Sequence, residues 1–386
     1  MRIAMIGQKG IPAAAGGVER HVEELSKQLA QNGHEVLVYA RRWYGQEKNS
    51  TDFVASNLSK NIQIIYTPSL HTKNLDAITH TITATIHALT QKIDVIHFHG
   101  VGPALLSWLP RLLAPRVRVI ATFHSMDRYQ YKWGKIAKWF LSMGEIFICR
   151  WPHATITVSR GLYHYCLNQY QKITICIPSG VPIWDGKKYP EKLSNYNLTP
   201  EKYLLTVARI IRGKGIHHLI SAWKTLRARA PQIIEGYKLA IVGDGEEAYM
   251  DELFELSGSD SDIIFTGDQY GENLQTLFTN AKLFIHPSEN EGLPLAVLEA
   301  MSFGLPVVVS DIPGHREIVP DNQFWFDTAN ADSLTERLKE ILPQTELLKK
   351  TGEQNRALVM EKYSWRDIAL QVEQVYQSNE KNKKIE

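Results

Sequence analysis

The chain has 386 residues, with 44% hydrophobic and 22% charged side chains and a formal net charge of +2. That balance excludes a disordered chain, and the length allows two domains, each with a sizeable core. No apolar run approaches the roughly 20 residues that span a bilayer.

The opening MRIAMIGQKG starts directly as a strand and lacks a charged-then-apolar leader pattern. The three cysteines, Cys149, Cys166 and Cys176, have no metal-ligand spacing, and their odd number fits a reducing compartment. A cytoplasmic protein is therefore expected, and the Asn-x-Ser/Thr triplets at Asn57 and Asn197 are read as incidental. Charge is unevenly spread. Residues 1–185 hold 20 Lys/Arg and 11 Asp/Glu, a balance of +9, whereas residues 186–386 hold 23 and 30, a balance of −7. A basic half calls for an anionic partner. The basic residues are scattered and match no nucleic-acid module, so an anionic membrane surface or a diphosphate-lipid acceptor is expected instead of nucleic acid.

Strand-like runs alternate with helix-length segments throughout, which predicts parallel sheets with helices on both faces. In the first half, strands are expected at 2–7, 35–40, 62–66, 93–98, 117–123 and 154–158, with helices near 17–32, 74–91, 103–113, 132–149 and 160–169. The first loop offers Gly7, Gly10, Gly16 and Gly17 ahead of a helix, where backbone can approach a phosphate. It is not a G-x-G-x-x-G fingerprint, and the second strand ends in Arg41-Arg42, not in the acid that a dinucleotide ribose needs. His97 and His99 share one face of a strand end. As two histidines without a third ligand they make a poor metal site, and a structural or pocket-lining role is expected. His124 ends the next strand, on the edge where ligands bind. In 132–151, Trp133, Ile136, Phe140, Phe147 and Trp151 form one helical stripe beside Lys132, Lys135 and Lys138. Two readings stay open: a helix buried against the first sheet, or one lying on a membrane surface.

Ile177-Pro-Ser-Gly-Val-Pro-Ile183 can continue neither helix nor strand and marks the boundary. Domains are expected at 1–180 and 181–360, with 361–386 as a closing helix and tail. In the second half, strands are expected at 203–208, 237–242, 262–266, 282–286 and 306–310, with a weaker one at 323–327, and helices over 331–378. Arg209 and Lys214 follow the first of these strands, two cations placed to meet a diphosphate. Asp260-Ser-Asp262 precedes its strand instead of following it, so it is read as a turn and not as a metal motif. The most informative segment is FIHPSENEGLPLAVLEAMSFGLPVVVS, residues 284–310, which reads as strand, loop, helix, strand. Pro294 suits the first helical position, and the unpaired N–H groups at that helix start suit a phosphate. Glu299 inside the helix can reach a ribose diol, and Glu291 on the loop is left for another part of the ligand.

Glu291-x7-Glu299, with EGLPL and LEAMSFGLPVV, resembles the signature of retaining glycosyltransferases of family 4. The resemblance implies an α/β protein of the GT-B fold: two Rossmann-like parallel-sheet domains facing a central cleft, the first binding acceptor and the second the nucleotide sugar. IPSGVP resembles the family's hinge, and YSWRDIALQVEQVY its closing helix, which crosses back to the first domain. The resemblance assigns catalytic roles to His124 and Glu291, both near the transferred sugar. It assigns donor binding to Gly16, Gly17, Arg209, Lys214, Gly292, Leu293, Leu295 and Glu299, with no metal or other cofactor. The implied reaction moves a sugar from a nucleoside diphosphate sugar to a hydroxyl of a glycan or lipid-linked glycan. HSMDRYQYKWGKIAKWFLSMGE and GIPAAAGGVE resemble a subgroup that includes rhamnosyltransferases of surface-polysaccharide assembly, with the enzyme at the inner face of the cell membrane. A nucleotide-sugar epimerase or phosphorylase, or a non-catalytic nucleotide-sugar-binding subunit, is the alternative on the same fold.

Overall fold

A computed structural model describes residues 1–13, 16–46, 59–70, 72, 75–126, 128, 134–183 and 189–378. Lys132, Trp133, Asn57 and the tail beyond Ser378 lie outside the described residues. The chain divides into two compact units: Met1–Gly180 together with the chain from Trp365, and Val181–Ser364.

The first unit is built on seven parallel strands: β1 (Arg2–Ile6), β2 (Glu35–Arg41), β3 (Ile62–Thr67), β4 (Val95–His99), β5 (Arg118–Phe123), β6 (Ala154–Thr157) and β7 (Ile175–Cys176). Their order across the sheet is β3-β2-β1-β4-β5-β6-β7. The second unit holds β8 (Tyr203–Val207), β9 (Lys238–Val242), β10 (Ile263–Phe265), β11 (Leu283–His286), β12 (Val307–Ser310) and β13 (Trp325–Phe326), in the order β10-β9-β8-β11-β12-β13. Both orders reverse between the unit's first and fourth strands. Ligands of open α/β sheets bind outside the carboxyl ends of the strands at such a reversal. The loops singled out are thereby those after β1 and β4 in one unit and after β8 and β11 in the other.

The central strands are buried on both faces, with Ile3 to Ile6 and Val36 to Ala40 wholly inaccessible. This is why they read as continuous apolar runs and not as alternations. The closing helix Trp365–Gln377 belongs to the first unit, where Trp365, Ile368, Val372 and Tyr376 join the core made by Ile3, Met5, Val22 and Leu25. Trp223, Phe278, Phe284 and Met301 are among the buried residues of the second unit's core.

Three elements differ from their sequence reading. The helix expected over 103–113 is two pieces, Val101–Ala104 and Trp108–Leu113. The break puts Pro110 in a first turn, where a missing N–H costs nothing; an unbroken helix would drive its ring into the carbonyl of Leu106. β7 went unread because its two residues are both exposed. Pro294 precedes the helix Leu295–Ser302 as its cap residue and is not its first member.

The helix Lys135–Arg150 is covered over only part of its aromatic stripe. It buries Gly144, Glu145, Ile148 and Cys149, whereas Ile136 is 75% exposed, Trp139 60% and Phe140 43%. The core reading fails for the first turns, because only the second half of the helix lies against the unit. There Gly144 meets the carbonyl of Val101, leaving no room for a Cβ. Glu145 is buried, and its Oε2 accepts hydrogen bonds from Tyr165 Oη at 2.9 Å and Tyr170 Oη at 2.6 Å. Gly144→Ala is predicted to destabilise the protein by roughly 1–3 kcal/mol through overpacking, read as a lower urea midpoint. An unchanged midpoint would show that the helix does not approach Val101 this closely.

Candidate active site

The second unit's candidate site is assembled by the two loops at its strand-order reversal. After β8 the chain runs through Arg209 to a single turn, Arg212–Lys214, and then Gly215, which starts the helix Ile216–Arg229. Gly215 has φ +66°, and a Cβ there would strike the Pro287 carbonyl in the loop after β11. Only glycine combines that left-handed backbone with so close an approach. The Glu289 amide donates to the Gly213 carbonyl at 2.9 Å, and Ser288 Oγ donates to the same carbonyl at 3.3 Å. The loops are thus one backbone-bonded unit.

That unit brings Lys214 and Glu291 together. Lys214 Nζ donates to Glu291 Oε1 in a short ion pair, and His286 Nε2 contacts the same oxygen at 2.9 Å. Among the described residues Glu291 Oε2 has no protein partner, so it can accept a hydroxyl. Burial raises the carboxyl's pKa. The Lys214 charge and the His286 hydrogen bond outweigh it and hold Glu291 well below the usual carboxylate range. Glu291 is ionised at any working pH. It is an acceptor and not a proton donor.

Behind it lies His315, wholly buried, with Nδ1 2.7 Å from the Ser310 carbonyl and its ring 5.3 Å from that of His286. The sequence reading had assigned neither histidine a role. His286 is separated from Glu291 by only four residues, so spacing alone could have found it.

The other donor-binding candidates sit around this centre. Arg209 is exposed and has no ion-pair partner among the described residues, so its guanidinium is available to an anion. Arg212, by contrast, is held by Glu252 and lies 5.2 Å over the Tyr249 ring. Gly292 and Leu293 lie half-buried on the loop, and Leu295 opens the helix Leu295–Ser302. No side chain caps that helix, while Val297 and Leu298 already donate to the Pro294 carbonyl. Among the described residues, the amides left over at its start are those of Leu295 and Ala296. Glu299 is buried in the same helix. Asp260 and Asp262 are both clasped by Arg227, in keeping with a structural turn.

In the first unit, Gly16 has φ +105° and precedes Gly17, the first residue of the helix Gly17–Gln31. The loop before them is held by carboxylates: the Lys9 amide donates to Glu19 at 3.1 Å and the Ala13 amide to Glu23 at 2.6 Å. These two amides are therefore already engaged, and Glu23 is itself paired with Lys27 at 2.8 Å.

His124 follows β5, half-buried, with Nε2 3.2 Å from His99 Nδ1. His21, which the sequence reading passed over, completes a group in which one ring nitrogen of each of His21, His99 and His124 lies within 4.8 Å of the others. His97 stands behind them, bonded to Tyr376 Oη and Thr122 Oγ1, both at 2.7 Å. Burial pushes His124 and His97 down to about 3, and burial with mutual repulsion holds His21 and His99 well below the ordinary value. All four are neutral imidazoles near neutral pH. His21 escaped the sequence reading because a helix residue 76 positions before His97 gives no spacing signal.

Residues 15–183 match the family described as Glycosyltransferase Family 4, and residues 190–358 match Glycosyl transferases group 1. Over 97% of its length the chain is 27% identical to an uncharacterized glycosyltransferase of Methanocaldococcus jannaschii, of which it covers 98%. The fold resembles sucrose-phosphate synthase from Thermosynechococcus elongatus, with a TM-score of 0.80 at 21% identity over 97% of this chain and 98% of that one. It also resembles Anabaena HepE in complex with UDP and glucose, with a TM-score of 0.79 at 17% identity over 98% and 100%. The doubly wound sheets and these matches define a glycosyltransferase of the GT-B fold. More narrowly, the chain belongs to the family 4, group 1 glycosyltransferases.

The burial of His315 has a measurable consequence. Burial and the neighbouring His286 push its imidazole down to about 3, whereas in the unfolded chain it titrates near 6.5. Unfolding below pH 6.5 therefore takes up a proton. The stability it lends is complete above that pH and is lost toward pH 3, at about 1.4 kcal/mol per unit. His315→Gln should flatten the acid limb of stability against pH by about that slope. An unchanged limb would place the histidine in solvent.

Proposed function

We propose that the protein is a retaining, metal-independent glycosyltransferase that moves a sugar from a nucleoside diphosphate sugar to a hydroxyl of a glycan or lipid-linked glycan in surface-polysaccharide biosynthesis. The observation that carries this reading is the loop pair of the second unit. Lys214, held by its ion pair, and Arg209, without an ion-pair partner among the described residues, supply cations, and the uncapped helix at Leu295 supplies amides, for a diphosphate whose charge grows as the sugar leaves. Gly292 and Leu293 carry the backbone past the ligand, and Glu299 takes the ribose. HepE, of the same fold, is described in complex with UDP and glucose, which agrees with a nucleotide-sugar donor.

Glu291, permanently ionised and pinned by two partners on one oxygen, orients the sugar through the other. A carboxylate so engaged is a poor covalent nucleophile. Retention is then assigned to a same-face displacement in which a donor phosphate oxygen takes the acceptor's proton. His124, a neutral imidazole, is assigned to the sugar's hydroxyls. In this reading the two cations take the part that a metal plays elsewhere, and transfer proceeds in EDTA.

Lys214→Ala and Arg209→Ala should each lower kcat/KM by about 10²–10³-fold, the loss seen when one oxyanion donor is removed. Near-normal turnover in either would take that residue out of the site. Glu299→Ala should weaken donor binding, whereas Glu291→Ala should chiefly lower kcat. Unchanged calorimetric affinity in Glu299→Ala would overturn the ribose assignment.

The exposed Ile136, Trp139 and Phe140, with Lys135 and Lys138 beside them, support peripheral attachment of the first unit to an anionic membrane, where a lipid-linked acceptor would be met. Among the described residues no helix is long and apolar enough to cross a membrane. Anionic vesicles should sediment the wild type at low salt, and the triple variant Lys135→Gln, Lys138→Gln, Trp139→Ala should stay in the supernatant. Equal binding to neutral and anionic vesicles would contradict the attachment.

A further inference from the structure

We propose that His21, His99 and His124 form a binding site for a borderline-soft transition-metal dication, with Zn²⁺ first, which is not used in transfer and which blocks transfer when filled. The blocking part rests on the function proposed above; the binding part does not. Three imidazoles are a common zinc ligand set, and three protein ligands leave a fourth position open.

The geometry is close to what such a site needs. His99 Nδ1 and His124 Nε2 are 3.2 Å apart. Two nitrogens on one tetrahedral zinc, each about 2.0–2.1 Å from it, stand about 3.3 Å from one another. The ring of His21 adds a nitrogen to the set, all within 4.8 Å, so a side-chain shift of about 1 Å closes the site. His21 Nε2 is buried and has no hydrogen-bond partner, while its Nδ1 is anchored 2.8 Å from Ser179 Oγ. A ring fixed through one nitrogen with the other unsatisfied is arranged as a metal ligand is, where the second nitrogen is held by an outer partner. His99 is likewise steadied through its other nitrogen, 3.4 Å from Met5 Sδ, and by the ring of His97 at 4.1 Å.

The charges agree. A neutral imidazole offers one nitrogen lone pair, so three of them can ligate a dication without displacing a proton into the solvent. The one proton shared between His99 and His124 moves to the outer nitrogen of whichever ring holds it. His124, half-buried, marks the side on which the fourth position opens. A metal seated there takes the lone pair of the imidazole assigned to the sugar, which is why filling the site should stop transfer.

A second group, His217, His218 and Glu289, also satisfies metal spacing. Its rings are committed differently: His217 Nδ1 bonds Tyr249 Oη at 2.7 Å and all three residues are part-exposed. It serves as the internal control.

The test uses the full chain, stripped with chelator and desalted, and titrated with Zn²⁺ against a competing indicator. One equivalent should bind with Kd below about 50 µM, and zinc absorption fine structure should show three imidazole nitrogens at about 2.0 Å. His21→Asn and His99→Gln should each weaken that equivalent at least tenfold, while the double variant His217→Gln, His218→Gln keeps it. The spectrum is taken on wild type, so the ligand set is read even where a variant fails to fold. Wild-type binding weaker than about 50 µM would overturn the site. So would undiminished binding in His21→Asn, or a loss confined to the double variant. Transfer should fall as the equivalent fills. Filling without loss of transfer would overturn the blocking role, and a chain without transfer activity would fail the proposed function while the binding readout still judged the site.

Discussion

The ion pair between Lys214 and Glu291 is the constraint on which the second unit's site depends. A buried carboxylate is costly unless paired and hydrogen-bonded. Here one oxygen takes both Lys214 and His286, and His315 backs the assembly from within. Lys214 reaches Glu291 only because the two loops are welded along their backbones: Gly215 lies against the Pro287 carbonyl and the Glu289 amide bonds Gly213. A cation, a carboxylate and a helix start are thereby held ready before any ligand arrives, which is the form of preorganisation that electrostatic catalysis requires.

The first unit solves the opposite problem. It buries His21, His97 and His99, half-buries His124, and keeps all four neutral by desolvation and mutual repulsion, so that they hydrogen-bond and stack without charge. The closing helix takes part directly, since Tyr376 bonds His97 and the Trp365 ring stands 5.2 Å from that of His21. A helix from the far end of the chain thus orients rings at the strand-order reversal of the first sheet. The same unit spends its apolar residues unevenly, covering Ile148 and Cys149 while leaving Trp139 and Ile136 outside.

Much of this was legible in the sequence. Parallel strands covered on both sides are continuous apolar runs, and all but β7 were found within a few residues. The loop after β11 announced itself through Glu291, Gly292, Pro294 and Glu299, and Lys214 through its flanking glycines. What stayed hidden depends on long-range packing. Periodicity showed a stripe on the helix Lys135–Arg150 but not whether anything covers it. His21 sits on a helix far in sequence from His99 and His124, and one oxygen of Glu145 is bonded by two tyrosines on a later helix. Glu19 and Glu23 reach back to the glycine loop, which a list of glycines does not reveal.

The central claim is that side-chain cations and a helix start, with no metal, hold a nucleoside diphosphate sugar on the second unit. The most direct measurement is thermal unfolding in EDTA against a panel of UDP-, GDP- and dTDP-sugars, on wild type and on Lys214→Ala. The account predicts that at least one donor raises Tm in EDTA by mass action, and that the rise is lost in Lys214→Ala. A rise that requires added Mg²⁺ or Mn²⁺, or one that survives intact in Lys214→Ala, would contradict it.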